Sequence, residues 1–199
     1  MLDNMALLSL AARRYFPDAQ QGLSERNPEA FEHMLITTLR RMAERGYKFT
    51  TAAQIDTLRA YVDGYGILIS GAVGIGKTLF FRRLSPDIVI LSMGDIVGMS
   101  QDELFGVVNG CKDSELVLDD IGLGGSIARD FGREYDALLA VLNWREKSKA
   151  RTHFTTNLTN DALVANFDAR AVDRIYGLAK CFSWRDMPSM REPKIHGGV

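Results

Sequence analysis

Eight consecutive residues in the first half of the chain have the composition and spacing of a phosphate-binding loop. They are Gly71-Ala-Val-Gly-Ile-Gly-Lys77-Thr78, which match the pattern G-x-x-x-x-G-K-[ST] in full. Glycines let backbone N–H groups converge on phosphate oxygens, and a helix that begins near Gly76 adds the positive end of its dipole. The Lys77 ammonium can reach the β- and γ-phosphates, and the Thr78 hydroxyl can bind Mg²⁺. The predicted nucleotide-binding residues are Gly71, Ala72, Val73, Gly74, Ile75, Gly76, Lys77, Thr78 and Leu79.

Two adjacent carboxylates end an apolar run, Leu116-Val-Leu-Asp119-Asp120. Packing alone explains this arrangement poorly, because an unpaired buried charge is costly. Asp119 suits the role of orienting Mg²⁺ through coordinated water, and Asp120 suits the role of a base or of a group that positions water. A capped strand end without a ligand is the alternative.

A third polar position follows the segment Phe154-Thr-Thr-Asn157. In a parallel sheet, ligands bind beyond the carboxyl ends of the strands. Asn157 is therefore predicted to bind the attacking water or the γ-phosphate. An asparagine that begins the next turn is the alternative.

Two arginines, Arg170 and Arg174, lie four positions apart and so share one face of a predicted helix. Guanidinium groups suit phosphate recognition because their donors form a rigid fork. Surface arginines that pair with Asp168 or Asp173 are the alternative.

Short apolar strands alternate with helices, which predicts a parallel sheet covered on both faces. The predicted strands are 66–70, 87–92, 115–120, 152–156 and 181–184. One predicted helix carries Phe131, Tyr135, Leu139 and Leu142 on one face. We divide the chain into a helical N-terminal segment at 1–50 that could bind a partner, a core at 51–186 and a loose tail at 187–199.

The composition is ordinary for one soluble domain, with 199 residues, 46% hydrophobic and 25% charged. The net charge of −1 argues against a strong general attraction to nucleic acid or to an anionic membrane, but allows a local basic surface. Two basic runs are candidates for such a surface. The first consists of Arg40, Arg41 and Arg45, and the second of Lys147, Lys149 and Arg151. No apolar run is long enough to span a bilayer and no signal peptide is expected, so we predict a cytoplasmic protein with no membrane partner.

These motifs, in this order, resemble the AAA+ ATPases over roughly residues 47–191. Within them, the sequence resembles the bacterial replicative-helicase loaders of the DnaC/DnaI type and the IstB-like transposition helpers. It is carried by Leu-Val-Leu-Asp-Asp-Ile-Gly, Thr-Thr-Asn-Leu and Asp-Ala-Arg-Ala-Val-Asp-Arg-Ile, which follow the phosphate-binding loop. The resemblance implies an α/β fold: a P-loop NTPase αβα sandwich with a five-stranded parallel sheet, no C-terminal lid and an N-terminal helical extension.

The resemblance also implies roles for single residues. Asn157 would be the sensor-1 residue, and Arg191 would match the second-sensor arginine. Arg174, or else Arg170, would be an arginine finger offered to the ATP of a neighbouring subunit. Asp120 stands where most AAA+ ATPases carry glutamate, so slow hydrolysis is expected.

The implied function is that of an Mg²⁺-dependent ATPase that assembles with itself. It would load a helicase or remodel DNA in replication or transposition, with a replicative helicase or transposase as partner and single-stranded DNA as a candidate ligand. Two alternatives stay open. One is a nucleotide-gated adaptor with negligible turnover, and the other is a small-molecule kinase with the same P-loop.

Overall fold

Helices and strands alternate along most of the chain in the computed structural model, which describes residues 22–122, 124–148, 150–185, 187 and 189–190. The helices are α1 (Leu23–Arg26), α2 (Pro28–Glu44), α3 (Ala52–Val62), α4 (Lys77–Leu84), α5 (Met93–Val97), α6 (Gln101–Gly110), α7 (Ala137–Ser148), α8 (Asn160–Asn166) and α9 (Ala169–Leu178). The strands are β1 (Gly66–Ser70), β2 (Val89–Ser92), β3 (Leu116–Ile121), β4 (Ile127–Asp130), β5 (Arg133–Asp136), β6 (Thr152–Thr156) and β7 (Ala179–Ser183). None of the helices in these ranges is both long and apolar enough to cross a membrane.

The predicted five-stranded parallel sheet is confirmed, with the strand order β2-β3-β6-β1-β7. The central strand β6 and its neighbour β1 are buried at every position. This burial is typical of parallel strands, which have helices on both faces. The order places the carboxyl ends of β3, β6 and β1 side by side, so the residues that follow these strands meet at one edge.

Side chains alternate between the two faces of the sheet, and helices cover each face. In β1, Ile67 and Ile69 belong to one hydrophobic cluster with Phe80 of α4, whereas Leu68 belongs to the other cluster with Leu138 of α7. The two-residue period of a strand requires this alternation. The result is the three-layered αβα sandwich expected from the sequence.

The described part of the predicted N-terminal segment packs on this core. In α2, the backbone N–H of Ala30 donates to the side chain of Asn27 at 3.0 Å, which caps the helix. Phe31 and Met42 of the same helix are buried in one cluster with Ile67 of β1. Residues 1–21 lie outside the described residues, and the boundary at residue 50 and the partner-binding role stay predictions.

The predicted helix with Phe131, Tyr135, Leu139 and Leu142 on one face is wrong in its first half. Phe131 lies at the tip of an antiparallel hairpin formed by β4 and β5, and Tyr135 lies in β5. Positive φ values of 46° at Phe131 and 81° at Gly132 form the tip, and a right-handed helix cannot continue through them. Leu139 and Leu142 do lie on α7. The spacing of Phe131 and Tyr135 therefore matched a helical period only by coincidence.

The last described residues contradict part of the predicted loose tail at 187–199. Met187 is buried, and the backbone N–H of Met190 donates to the Gly74 carbonyl at 2.8 Å. Just before them, the Trp184 indole N–H donates to Thr57 Oγ1 of α3 at 3.0 Å. The chain after β7 thus packs against α3 and the phosphate-binding loop. Residues 191–199 lie outside the described residues.

Arg145 of α7 is fully buried and bonded through its whole guanidinium group. Its Nε donates to Thr152 Oγ1 at 2.8 Å, and its Nη2 donates to the carbonyls of Ser114 and Arg151 at 2.7 and 2.9 Å. Nη1 donates to the Cys111 carbonyl at 3.0 Å. These bonds join α7 to the segments that lead into β3 and β6, so they hold the amino ends of both strands.

An Arg145→Met variant is expected to lower the free energy of unfolding by about 3 kcal/mol, because several buried carbonyls lose their charged donors. Urea denaturation followed by circular dichroism measures this change. Lys147→Met is the matched control, since Lys147 is exposed on the same helix, and it should change stability by no more than about 0.5 kcal/mol. Equal stability of the two variants would contradict the structural role of Arg145.

Candidate nucleotide-binding site

The P-loop, residues 71–78, connects β1 to α4 and has a backbone that requires glycine. Gly74 and Gly76 have φ values of 84° and 92°, a region that other residues rarely adopt. A side chain at Gly76 would also collide with the Met190 sulfur. Local sequence thus accounts for the loop conformation, and α4 begins at Lys77 with its amino end facing the cleft.

The Lys77 ammonium is almost completely buried at the base of the P-loop, with the residue 5% exposed. Its Nζ donates to the carbonyls of Gly71 and Ala72 at 2.8 and 2.9 Å, and to Asn157 Oδ1 at 2.6 Å. Burial lowers the pKa of Lys77, and the nearby Asp120 and Asp119 carboxylates oppose that shift. The P-loop lysine and the asparagine after β6 therefore lie in direct contact.

Asp119 lies within hydrogen-bond distance of the P-loop threonine. The Thr78 hydroxyl lies 2.8 Å from Asp119 Oδ1 and 3.0 Å from its Oδ2. Mg²⁺ prefers oxygen ligands and is commonly bound by one or two protein oxygens together with water and substrate phosphates. This hydroxyl–carboxylate pair beside the P-loop fits that ion.

Asp120 and Asn157 face the same cleft. Asn157 Nδ2 donates to Asp120 Oδ1 at 3.5 Å. The cleft has a volume of about 240 Å³ and is lined by Val73, Gly74, Gly76, Lys77, Thr78, Leu79, Asp120, Asn157 and Met190. The side chain of Ile75, also predicted at the site, is buried in the core, so only its backbone could serve the cleft, and its role stays a prediction. The Gly71 and Ala72 carbonyls contact Lys77.

The two candidate arginine fingers are engaged within the chain. Arg174 Nε donates to Glu146 Oε2 of α7 at 3.1 Å, and its side chain is 23% exposed. Arg170 is more exposed and pairs with Asp168 at 3.0 Å, which is the alternative foreseen from the sequence. Neither lines the cleft. Arg191 lies outside the described residues, so its role stays a prediction, as do those of Arg170 and Arg174.

One arginine of each predicted basic run is bonded to another part of the chain and so contributes to the fold. Arg151 forms an ion pair with Glu115, the residue just before β3. Arg45 Nη1 donates to the Leu84 carbonyl at the end of α4, at 2.9 Å. Lys149 lies outside the described residues. DNA contact through the remaining members of the runs stays a prediction.

Two residues of the site were not predicted. Thr155 of β6 donates to Asp119 Oδ1 at 2.6 Å and accepts from the Asp120 backbone N–H at 2.9 Å. The available signal was a hydroxyl in a buried strand, which needs a partner. Met190 lines the cleft because the chain after β7 returns to the P-loop, and no local pattern indicates this contact.

Two solved structures resemble this arrangement. A crystal structure of DnaI has 19% sequence identity and a TM-score of 0.56, over 70% of this chain and 88% of that chain. A structure of AMPPCP-bound DnaA from Aquifex aeolicus has 15% identity and a TM-score of 0.53, over 68% of this chain and 48% of that chain, so this chain spans about half the length of that DnaA. No family model matches the sequence, and no curated protein does. These likenesses confirm the P-loop αβα fold that the motifs predicted.

Proposed function

We propose that this chain with an AAA+ fold binds Mg·ATP, hydrolyses it slowly when assembled with copies of itself, and acts as a helicase loader or DNA-remodelling accessory in replication or transposition. The observation that carries the ATPase proposal is a convergence of side chains from three adjacent strand ends. Lys77 and Thr78 follow β1, Asp119 and Asp120 lie at the end of β3, and Asn157 follows β6, all around one cleft. The likeness to DnaI supports the loader role.

The P-loop would bind the phosphates through its backbone N–H groups and through Lys77. The three donors of the Lys77 ammonium would exchange the Gly71 and Ala72 carbonyls and Asn157 for phosphate oxygens. Thr78 and Asp119 would hold Mg²⁺, which when bound supplies charge neutralisation on the transferred phosphate.

Asp120 is the proposed base or water-positioning group. Its carboxylate lines the cleft, and the Asn157 amide lies beside it at 3.5 Å. Asn157 would orient both the carboxylate and the attacking water, which keeps the nucleophile in line with the γ-phosphate. An aspartate reaches less far than a glutamate, so slow turnover is expected.

The kinase and adaptor alternatives make different predictions. A small-molecule kinase needs a second substrate near the γ-phosphate, and the described residues that line the cleft include no arginine to bind one. Turnover should be measured over a range of protein concentrations, with and without single-stranded DNA. The proposed ATPase gains activity per subunit with concentration, the kinase needs an added metabolite, and the adaptor binds ATP without turnover.

Asp120→Asn is expected to keep Mg²⁺ and ATP binding but to lower turnover by about 100-fold or more, the usual contribution of a general base. Asparagine tolerates the left-handed backbone of this position, where φ is 55°, so the fold should persist. Asp119→Asn should instead weaken the Mg²⁺-dependent part of ATP binding. Titration with a fluorescent ATP analogue, with and without Mg²⁺, separates the two. The opposite pattern would mean that the roles are reversed.

A further inference from the structure

The two carboxylates at the end of β3 both lie at the candidate site, although they are adjacent in the chain. Successive side chains of a regular strand point to opposite faces. Asp119 nevertheless contacts Thr78, and Asp120 lines the cleft beside Asn157. The backbone of β3 departs from regular geometry at this point.

The departure is a bulge in the pairing of β3 with β6. Leu118 lies opposite Phe154, but Ile121 lies opposite Thr156, so three steps along β3 correspond to two steps along β6. Asp120, inside the bulge, has a φ of 55°, which is uncommon for a residue other than glycine. An extra residue in one strand redirects side chains and removes one backbone group from the ladder of hydrogen bonds.

A single hydroxyl compensates for that loss. Thr155 of β6 is fully buried, and its Oγ1 accepts the Asp120 backbone N–H at 2.9 Å. The same oxygen donates its proton to Asp119 Oδ1 at 2.6 Å. Across the bulge, Thr156 Oγ1 donates to the Ile121 carbonyl at 2.7 Å. A backbone N–H that has lost its partner in the ladder needs another one, so Thr155 both satisfies the Asp120 N–H and holds the Asp119 carboxylate.

We propose that Thr155 is a positioning residue of the nucleotide site: its hydroxyl holds the β3 bulge that places Asp119 against Thr78 and Asp120 in the cleft. This inference rests on the proposed ATPase function. Thr155 acts only through the two carboxylates, one assigned to Mg²⁺ and one to the attacking water. Loss of the hydroxyl should therefore raise the Mg²⁺ concentration that ATP binding needs and also lower turnover. The P-loop should still bind the phosphates.

The test compares Thr155→Val, which keeps the shape and removes the hydroxyl, with Thr155→Ser, which keeps the hydroxyl. In Thr155→Val, ATP affinity in EDTA should stay at the wild-type value. The Mg²⁺ concentration needed for half-maximal tightening of ATP binding should rise at least about tenfold, the effect expected of losing one charge-assisted hydrogen bond. Turnover should fall by a similar factor or more, and Thr155→Ser should restore both.

A control and a second readout separate positioning from general destabilisation. Thr57→Val removes another fully buried hydroxyl, in α3, and should leave the Mg²⁺ requirement unchanged. Amide hydrogen exchange measured by NMR should be at least about tenfold faster at the Asp120 N–H in Thr155→Val, and near the wild-type rate in Thr155→Ser. If Thr155→Val does not fold, Thr155→Ala is compared with Thr155→Ser by the same measurements.

The outcomes distinguish the two proposals. A folded variant without the hydroxyl that keeps the wild-type Mg²⁺ requirement and Asp120 exchange rate would overturn the positioning role, as would Thr155→Ser behaving like Thr155→Val. If the wild-type protein shows no Mg²⁺-dependent ATP binding, the proposed function fails instead. In that case the exchange rate at Asp120 still decides whether Thr155 holds the bulge.

Discussion

An Arg174→Ala variant is expected to bind ATP as the wild type does and to hydrolyse it about 10³- to 10⁵-fold more slowly, the contribution of an arginine finger supplied by a neighbouring subunit. The Arg174 guanidinium is bonded to Glu146 on α7 and is partly exposed, so it can change partner when a phosphate approaches. Steady-state turnover and nucleotide titration on the same preparation measure the two effects separately.

Mixing two inactive variants tests whether Arg174 acts between subunits. A Lys77→Ala subunit lacks the P-loop lysine but carries an intact Arg174. In a mixed assembly, its Arg174 should therefore restore turnover at the ATP sites of the Arg174→Ala subunits. Sedimentation with ATP present establishes that the two variants assemble together. No recovery in a demonstrated mixed assembly would exclude Arg174 as the finger.

Two matched variants separate this role from a structural one. Glu146→Gln removes the ion pair but keeps the guanidinium, so it should retain turnover if Arg174 serves the neighbouring site. A loss as large as that of Arg174→Ala would show that the pair with Glu146 is what matters. Arg170→Ala, four residues earlier on α9, should stay near the wild-type rate. A selective loss in Arg170→Ala would transfer the role to Arg170.

A Lys77→Ala variant is expected to weaken ATP binding by about 100-fold or more, because removing one partner of a buried charge pair costs about 2–5 kcal/mol. The ammonium is bonded to two P-loop carbonyls and to Asn157, which are polar partners rather than members of the hydrophobic core. The fold should therefore persist, as circular dichroism would show. Unchanged ATP affinity in a folded variant would contradict the P-loop assignment. The control is Lys112→Ala, which removes an exposed lysine and should leave ATP affinity unchanged.

Much of the site follows from local sequence because its parts are local. The P-loop is one contiguous segment, and the positive φ values at Gly74 and Gly76 are what its glycines predict. Asp119 and Asn157 could be assigned to the cleft from the sequence, since each lies near the carboxyl end of an apolar strand and parallel strands end at one edge.

Prediction from residue spacing failed where an element is short, or where the residues of a hairpin happen to have the spacing of a helix. The hairpin of β4 and β5 carries Phe131 and Tyr135 at helical spacing, and only its glycine turn distinguishes it from a helix. Helices α5 and α8 have five and seven residues, too few to show a helical period.

The sequence by itself determined the strand–loop–helix of the P-loop and the acids and amide that accompany it. The tertiary structure decided how these groups face one another. The bulge of β3, the Thr155 hydroxyl that satisfies it and the contact of Met190 with the P-loop each join residues more than 30 positions apart. Such contacts depend on the register between strands and on the path of the chain after β7. The spacing of neighbouring residues determines neither of them.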